Sequence, residues 1–295
     1  MKINLNGKKI RPQTALIAPA LAILAAALAC SLQPAPIIEA TSAPTIEVMP
    51  TEAAPTEAPP TAAAPEGAIF AEYDNVSFWF MPDLARSWSV EFIPEGPGSS
   101  SSAGPTDYSD PDHIVFYLDG VSTASATVPM FEPQIYIYPA AAMSAQNPIA
   151  QGRIAELQNW LNAPPTNSMD QNLAIPFLPL FNAAQVMHTQ VKYLDFQNGK
   201  GVRFLTMYSQ GLMPADNAGV FYTFQGITDD GAYYVAIIMP VSHPSLDGDP
   251  GTAFMDDPLN YMNGVAEQLD RQASNTFTPD LTVFDALVES ITIQP

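Results

Sequence analysis

The chain contains one cysteine, Cys30, and that cysteine closes an apolar run from Ala15 to Ala29 interrupted only by Pro19. No disulfide can brace the residues beyond it, so whatever folds there must rely on hydrophobic burial and hydrogen bonding alone. Ahead of the run stand Lys2, Lys8, Lys9 and Arg11 with no acid, and small residues flank the junction. Basic start, apolar core and small-residue end are the three parts of an export signal, so residues 1–29 read as a removable segment. Left uncut, the run would be a membrane helix, but it is at the short end for a span of ~20 residues.

The junction Ala27-Leu28-Ala29-Cys30 resembles the signal of bacterial lipoproteins. In that family a diacylglycerol is attached to the cysteine thiol, and cleavage makes the cysteine the mature N-terminus. The resemblance implies a lipid on Cys30, with palmitate among its acyl chains, and a membrane anchor on the extracytoplasmic side of the cell envelope. The family prefers leucine three residues before the cysteine, where this chain has Ala27. Ala27-Leu28-Ala29 also satisfies the small-x-small rule of ordinary signal peptidase, which would cut the same bond and leave a free thiol.

Removing the signal takes away four of the ten Lys and Arg and none of the thirty acids, leaving a formal charge of −24. Such a chain is repelled by nucleic acid and by anionic headgroups, so no nucleic-acid partner is expected and any anchor must be hydrophobic. Residues 30–66 follow as the lipidated cysteine and a linker: Ser31 to Glu66 holds eight Pro, five Thr and five Glu in 36 residues, with no Lys or Arg. Pro50-Thr51-Glu52-Ala53 and Pro55-Thr56-Glu57-Ala58 form a short quasi-repeat. This composition predicts a disordered, extended tether, on the order of 100 Å when stretched at ~3.1 Å per residue.

From Gly67 to Pro295 aromatic and β-branched residues alternate with turn signals, which marks a globular body of one large domain or two subdomains divided near 165–185. Strands are predicted at Val76–Phe80, Trp88–Ile93, Ile114–Leu118, Gln134–Tyr138, Val186–Phe196, Val202–Tyr208, Val220–Ile227 and Tyr233–Met239. Asn198-Gly199 and Asp229-Asp230-Gly231 supply hairpin chemistry. Helices are predicted over Ile149–Leu161, Pro258–Ala273 and Leu281–Val288, with a loop before Pro258 and a short edge strand within Ser290–Ile293. The class is α+β, an antiparallel β-meander sheet flanked by helices. The ending Phe284-Asp285-Ala286-Leu287-Val288-Glu289-Ser290-Ile291-Thr292-Ile293 after a meander resembles PsbP-like and DcrB-like exported domains over Val186 to Pro295. That resemblance implies a non-enzymatic accessory or binding role.

Catalytic signatures are few. His113, His188 and His243 lie on different elements without metal-ligand spacing, G-x-S-x-G is missing, and Ser242-His243 are mere sequence neighbours. Asp107, Asp110 and Asp112 share one loop, and Asp247 and Asp249 another. Calcium favours such loops, but Leu118 and Pro258 stand where an EF-hand requires its glutamate, which leaves an irregular calcium loop beside the simpler reading of turn-forming aspartates. No cofactor is otherwise expected.

A sharper grouping lies on the first hairpin of the second half. With Asn198-Gly199 as a two-residue turn, Lys192 faces Leu205 and Arg203 faces Leu194, so Lys192 and Arg203 become diagonal neighbours on one face with His188 and Gln190. Val191, Tyr193, Val202, Phe204 and Tyr208 share the other face. Two of six mature cations on one patch would seat a carboxylate or phosphate, or would pair with an acid on a covering helix. The expected function is a membrane-anchored envelope lipoprotein that binds a small molecule or protein without catalysis. The alternative is an exported Asp/Glu-dependent hydrolase of glycans or esters, supported by calcium.

Overall fold

The computed structural model describes residues 64–97 and 109–294. The signal, Cys30, the tether through residue 63, the serine run Ser99–Ser102 and Asp107 lie outside the described residues. The chain forms β1 (Ile69–Tyr73), β2 (Val76–Phe80), β3 (Ser87–Ile93), β4 (Gly96–Pro97), β5 (Ser109–Asp110), β6 (His113–Asp119) and β7 (Gln134–Pro139). Helices α1 (Ala140–Gln146) and α2 (Pro148–Asn162) follow, then β8 (Ala184–Phe196), β9 (Gly199–Ser209), β10 (Val220–Thr228) and β11 (Tyr233–Pro240). Last come α3 (Gly251–Asp256), α4 (Pro258–Asp270), α5 (Leu281–Ser290) and β12 (Thr292–Ile293).

Seven strands join in the antiparallel order β3-β6-β7-β11-β10-β9-β8. This is two meanders, β3-β6-β7 and β8-β9-β10-β11, fused where β7 pairs with β11 through Val235 opposite Ile137. The sheet runs without a break across the division expected near 165–185, so both halves of the body share one sheet. A second sheet, β1-β2-β12, brings the C-terminus against β2, and β4 with β5 makes a two-residue ladder.

Both faces of the large sheet are covered, which explains why every residue of β10 is buried. Tyr222, Phe224, Val235, Ile237 and Met239 pack under α4, α5 and the small sheet. Phe221, Ile227, Tyr234 and Ile238 pack on the other side under α1 and α2, against Met143, Ile154 and Leu157. Each buried Leu or Phe of this kind contributes ~1.5–3 kcal/mol. Two of the helices begin where local chemistry asks for it. Asn147 caps α2 by accepting from Ile149 and Ala150 N–H at 3.1 Å, and Asp257 caps α4 by accepting from Asn260 N–H at 3.1 Å, each followed by proline at the first helical position.

The α+β class and meander stand as expected, while the short β4–β5 ladder and three other elements went unforeseen. Strand β1 has an exposed, irregular pattern. Helix α1 follows β7 with no intervening turn residue, its alanine-rich sequence favouring helix once the strand ends. Helix α3 is a six-residue turn of helix inside the stretch expected to be loop.

Candidate functional site

The first hairpin closes one step earlier than turn chemistry suggested. Phe196 pairs with Gly199, so Gln197-Asn198 form the turn and Gly199 already belongs to β9. Gly199 is needed for space: a Cβ there would overlap the Phe196 ring and lie 2.5 Å from the Ile227 carbonyl oxygen. The turn is held from outside, since Ile293 N–H donates to Asn198 Oδ1 at 3.1 Å and Gln197 N–H donates to the Ile291 carbonyl at 3.0 Å. In this register Lys192 stands directly opposite Arg203, a correction to the diagonal pairing.

A second correction follows from a β-bulge. The register shifts between Thr189, opposite Leu205, and Lys192, opposite Arg203, so Gln190 and Val191 together face one residue of β9. One extra residue reverses the alternation of faces. Thr189 therefore shares the face of Lys192 and Arg203, while His188, opposite Thr206, turns to the other side. Gln190 adopts φ 54°, left-handed backbone that favours glycine. Its side-chain amide donates to the carbonyls of Leu269 at 2.8 Å, Asp270 at 3.1 Å and Gln272 at 2.9 Å, closing the C-terminus of α4.

Lys192 and Arg203 face an acid of their own chain. Arg203 Nε lies 3.1 Å from Asp285 Oδ1, Lys192 Nζ lies 2.9 Å from Asp285 Oδ2, and the Tyr222 hydroxyl donates to Asp285 Oδ1 at 3.1 Å. Arg203 also donates to the Gln190 carbonyl. Arg203 is 3% exposed and Asp285 4%, whereas half of the Lys192 side chain remains in water. Burial, with the Asp285 charge as second cause, pushes the Tyr222 hydroxyl well above its ordinary range. The position that would seat an external anion thus holds the chain's own carboxylate. Asp285 was the residue missed, and the signal for it was present: Leu281, Phe284, Asp285 and Val288 share one buried helical stripe, where a lone acid demands a partner.

The expected calcium loops are engaged locally. Asp112 accepts from Glu95 N–H at 2.6 Å, Asp249 accepts from Gly251 N–H at 2.8 Å, and Asp247 accepts from Asn217 at 2.6 Å and Ser125 at 3.2 Å. Asp110 is buried on β5. Among the described residues no three His, Cys, Asp or Glu side chains gather as a metal-holding group.

All three histidines are buried. His113 Nδ1–H donates to the Pro111 carbonyl at 2.7 Å, and His188 Nε2–H donates to the Ser168 carbonyl at 3.0 Å. Burial holds both below their ordinary pKa. Gln171 clasps the exposed edge of β8, donating to the His188 carbonyl at 2.8 Å and accepting from its N–H at 3.0 Å. Beside that clasp, residues 167–172 and α4 border a 390 Å³ cleft lined by Asn167, Asp170, Gln171, Asn263, Glu267 and Asp270 among others. Arg271 bridges Glu267 at 2.9 Å on its rim. No family model and no curated protein matches the chain. His188 and Gln190 thus reach the cleft through Gln171 and Asp270, while Lys192 and Arg203 turn inward under α5. Side-chain amides and carboxylates dominate the cleft, a set that hydrogen-bonds hydroxyl or ammonium groups. No histidine is among the residues lining the cleft, and His188 Nε2 is engaged by the Ser168 carbonyl.

Proposed function

We propose that this chain is a cell-envelope lipoprotein, anchored through Cys30 on the extracytoplasmic side, whose body is a non-enzymatic binding or accessory module. The observation that carries the reading is the placement of the only cysteine at the end of the apolar run, followed by a stretch of 36 residues without a cation. Two acyl chains or more give durable attachment, and ~0.8 kcal/mol per buried CH₂ outweighs repulsion of a −24 body from anionic headgroups. Binding, in preference to turnover, is supported by the body's ionisable groups. Arg203, Lys192 and Asp285 hold α5 on the sheet, and His113 and His188 are held to backbone carbonyls. The cleft beside α4 is the seat this reading assigns to a small, hydroxyl- or amine-bearing ligand or a protein side chain of that chemistry. Among the described residues no helix is long and apolar enough to cross a membrane, and the apolar run Ala15–Ala29 lies outside them.

The anchor is tested by mass spectrometry of the mature N-terminus and by radiolabelled palmitate with Cys30→Ser as control. Acylation lost in Cys30→Ser is expected; an unacylated native chain refutes it. The binding role is tested by thermal shift against polyols, amines and amino sugars, since a ligand bound only by the native state raises its melting temperature. Turnover of a glycan or ester by the purified chain would replace the binding module with a hydrolase.

A further inference from the structure

One end of the seven-stranded sheet carries two loops, residues 120–133 between β6 and β7 and residues 210–219 between β9 and β10. They are bonded to one another, Met130 N–H donating to the Ala218 carbonyl at 2.9 Å. From Gly120 to Phe131 there is no charged residue, and from Gln210 to Gly219 only Asp216, whose carboxylate accepts from Ala218 and Gly219 N–H. Four large apolar side chains project from this pair: Val128 is 82% exposed, Met130 63%, Met213 56% and Leu212 43%. Single exposed apolar residues are ordinary, but four on two joined, nearly uncharged loops of so acidic a chain form a patch. Its base is fixed, because Phe131 stacks on Phe181 at 5.0 Å and meets Phe221 edge-on at 4.7 Å.

Strand β1 begins at the same end. Ile69 pairs with Phe80 at the close of β2, and Trp88 Nε1–H donates to the Phe70 carbonyl at 3.2 Å. Trp88 in turn pairs with Leu118, one residue before β6 ends and the first apolar loop begins. The start of β1 and the two joined apolar loops therefore lie at one end of the sheet.

We propose that this end of the body rests on the bilayer, with Val128, Met130, Leu212 and Met213 entering the boundary between headgroups and acyl chains. The orientation rests on the lipoprotein reading, which supplies the anchor and a high effective concentration at the surface. Exposed Glu132, Asp216, Asp247 and Asp249 belong to loops of the same end, so the surface that suits it is zwitterionic, with anionic headgroups opposing.

The test uses the full acylated chain, in which the Cys30 thiol is blocked and a single new cysteine can be labelled alone. Val128→Cys carries an environment-sensitive fluorophore, and Asp229→Cys, in the turn at the opposite end, is the control. In phosphatidylcholine vesicles containing an acyl-chain nitroxide, the label at 128 should be quenched several-fold more than the label at 229. Replacing Met130, Leu212 and Met213 by serine should remove the difference, and phosphatidylglycerol should weaken it. Equal, water-like signals from both labels overturn the proposal. Protection of the 128 label in native membranes but not in pure lipid also overturns it, in favour of a protein partner. An unacylated Cys30 defeats the anchor alone. The Cys30→Ser, Val128→Cys chain with millimolar phosphatidylcholine then decides the patch, a blue shift sustaining it and no shift ending it.

Discussion

Asp285 on α5 meets Arg203 on β9 with Oδ1 3.1 Å from Nε, and both side chains are almost wholly removed from water. The pair joins the last helix to the middle of the second meander, and Tyr222 and Lys192 complete the carboxylate's partners. Removing one member of a buried pair leaves the other charged and unpaired, at a cost of ~3–5 kcal/mol. Asp285→Ala should lower stability by about that amount in urea denaturation. Lys192→Ala should cost at most ~1 kcal/mol, because its half-exposed ammonium is screened by water. The double replacement Arg203→Met with Asp285→Leu should recover most of the loss, since neither charge then remains buried.

Gln190 offers a test that reverses the usual ranking of alanine over glycine. Its φ of 54° costs a side-chain-bearing residue roughly 1 kcal/mol that glycine does not pay. Both Gln190→Ala and Gln190→Gly lose the bonds to the end of α4, but the glycine variant should be the more stable by about 1 kcal/mol. Equal melting temperatures would show that the backbone there is not left-handed in solution.

Acid should weaken the fold before its carboxylates protonate. His113 and His188 are held below 6.5 in the native state by burial, so the unfolded chain binds protons first as pH falls. Stability is fully present above about pH 6.5 and declines below it. Asp170 and Asp230, held low by hydrogen bonds, lose their contribution only below the ordinary carboxylate value of 3.8. Melting temperature should therefore fall between pH 7 and 5, and His113→Asn with His188→Asn should flatten that slope.

Gly199 and Gly231 separate two uses of glycine. Gly231 has φ +71° in an open turn, and Gly231→Ala should cost ~1–2 kcal/mol of backbone strain. Gly199→Ala drives a methyl into the Phe196 ring and toward the Ile227 carbonyl, and should cost more, ~1–3 kcal/mol from overpacking plus the displaced carbonyl. Chemical denaturation of the two variants side by side orders them.

Much of the architecture was legible because its elements repeat with clean periods. The strand Val76–Phe80 and the starts of the helices at Pro258 and Leu281 fall where pattern and caps place them. Strand β1 was not legible, since only Ala71 of its five residues is buried and no alternation marks it. The patch was less legible than the fold. Alternation predicted Lys192 and Arg203 on one face, which holds, but no local signal announces the bulge that sends His188 to the other.

By itself the amino-acid order determined the meander, the place of its hairpins to within a residue and the apolar face of Val191, Tyr193, Val202, Phe204 and Tyr208, because side-chain alternation and turn preference act within a few residues. Which acid would neutralise Arg203, why Gly199 must be glycine, and which end of the sheet carries both apolar loops and the start of β1 were decided only in three dimensions. Asp285 is 82 residues from Arg203, Ile227 approaches Gly199 from a neighbouring strand, and Phe70 reaches Trp88 across two sheets. Contacts between segments so far apart depend on how whole elements pack, and no window of sequence contains both partners.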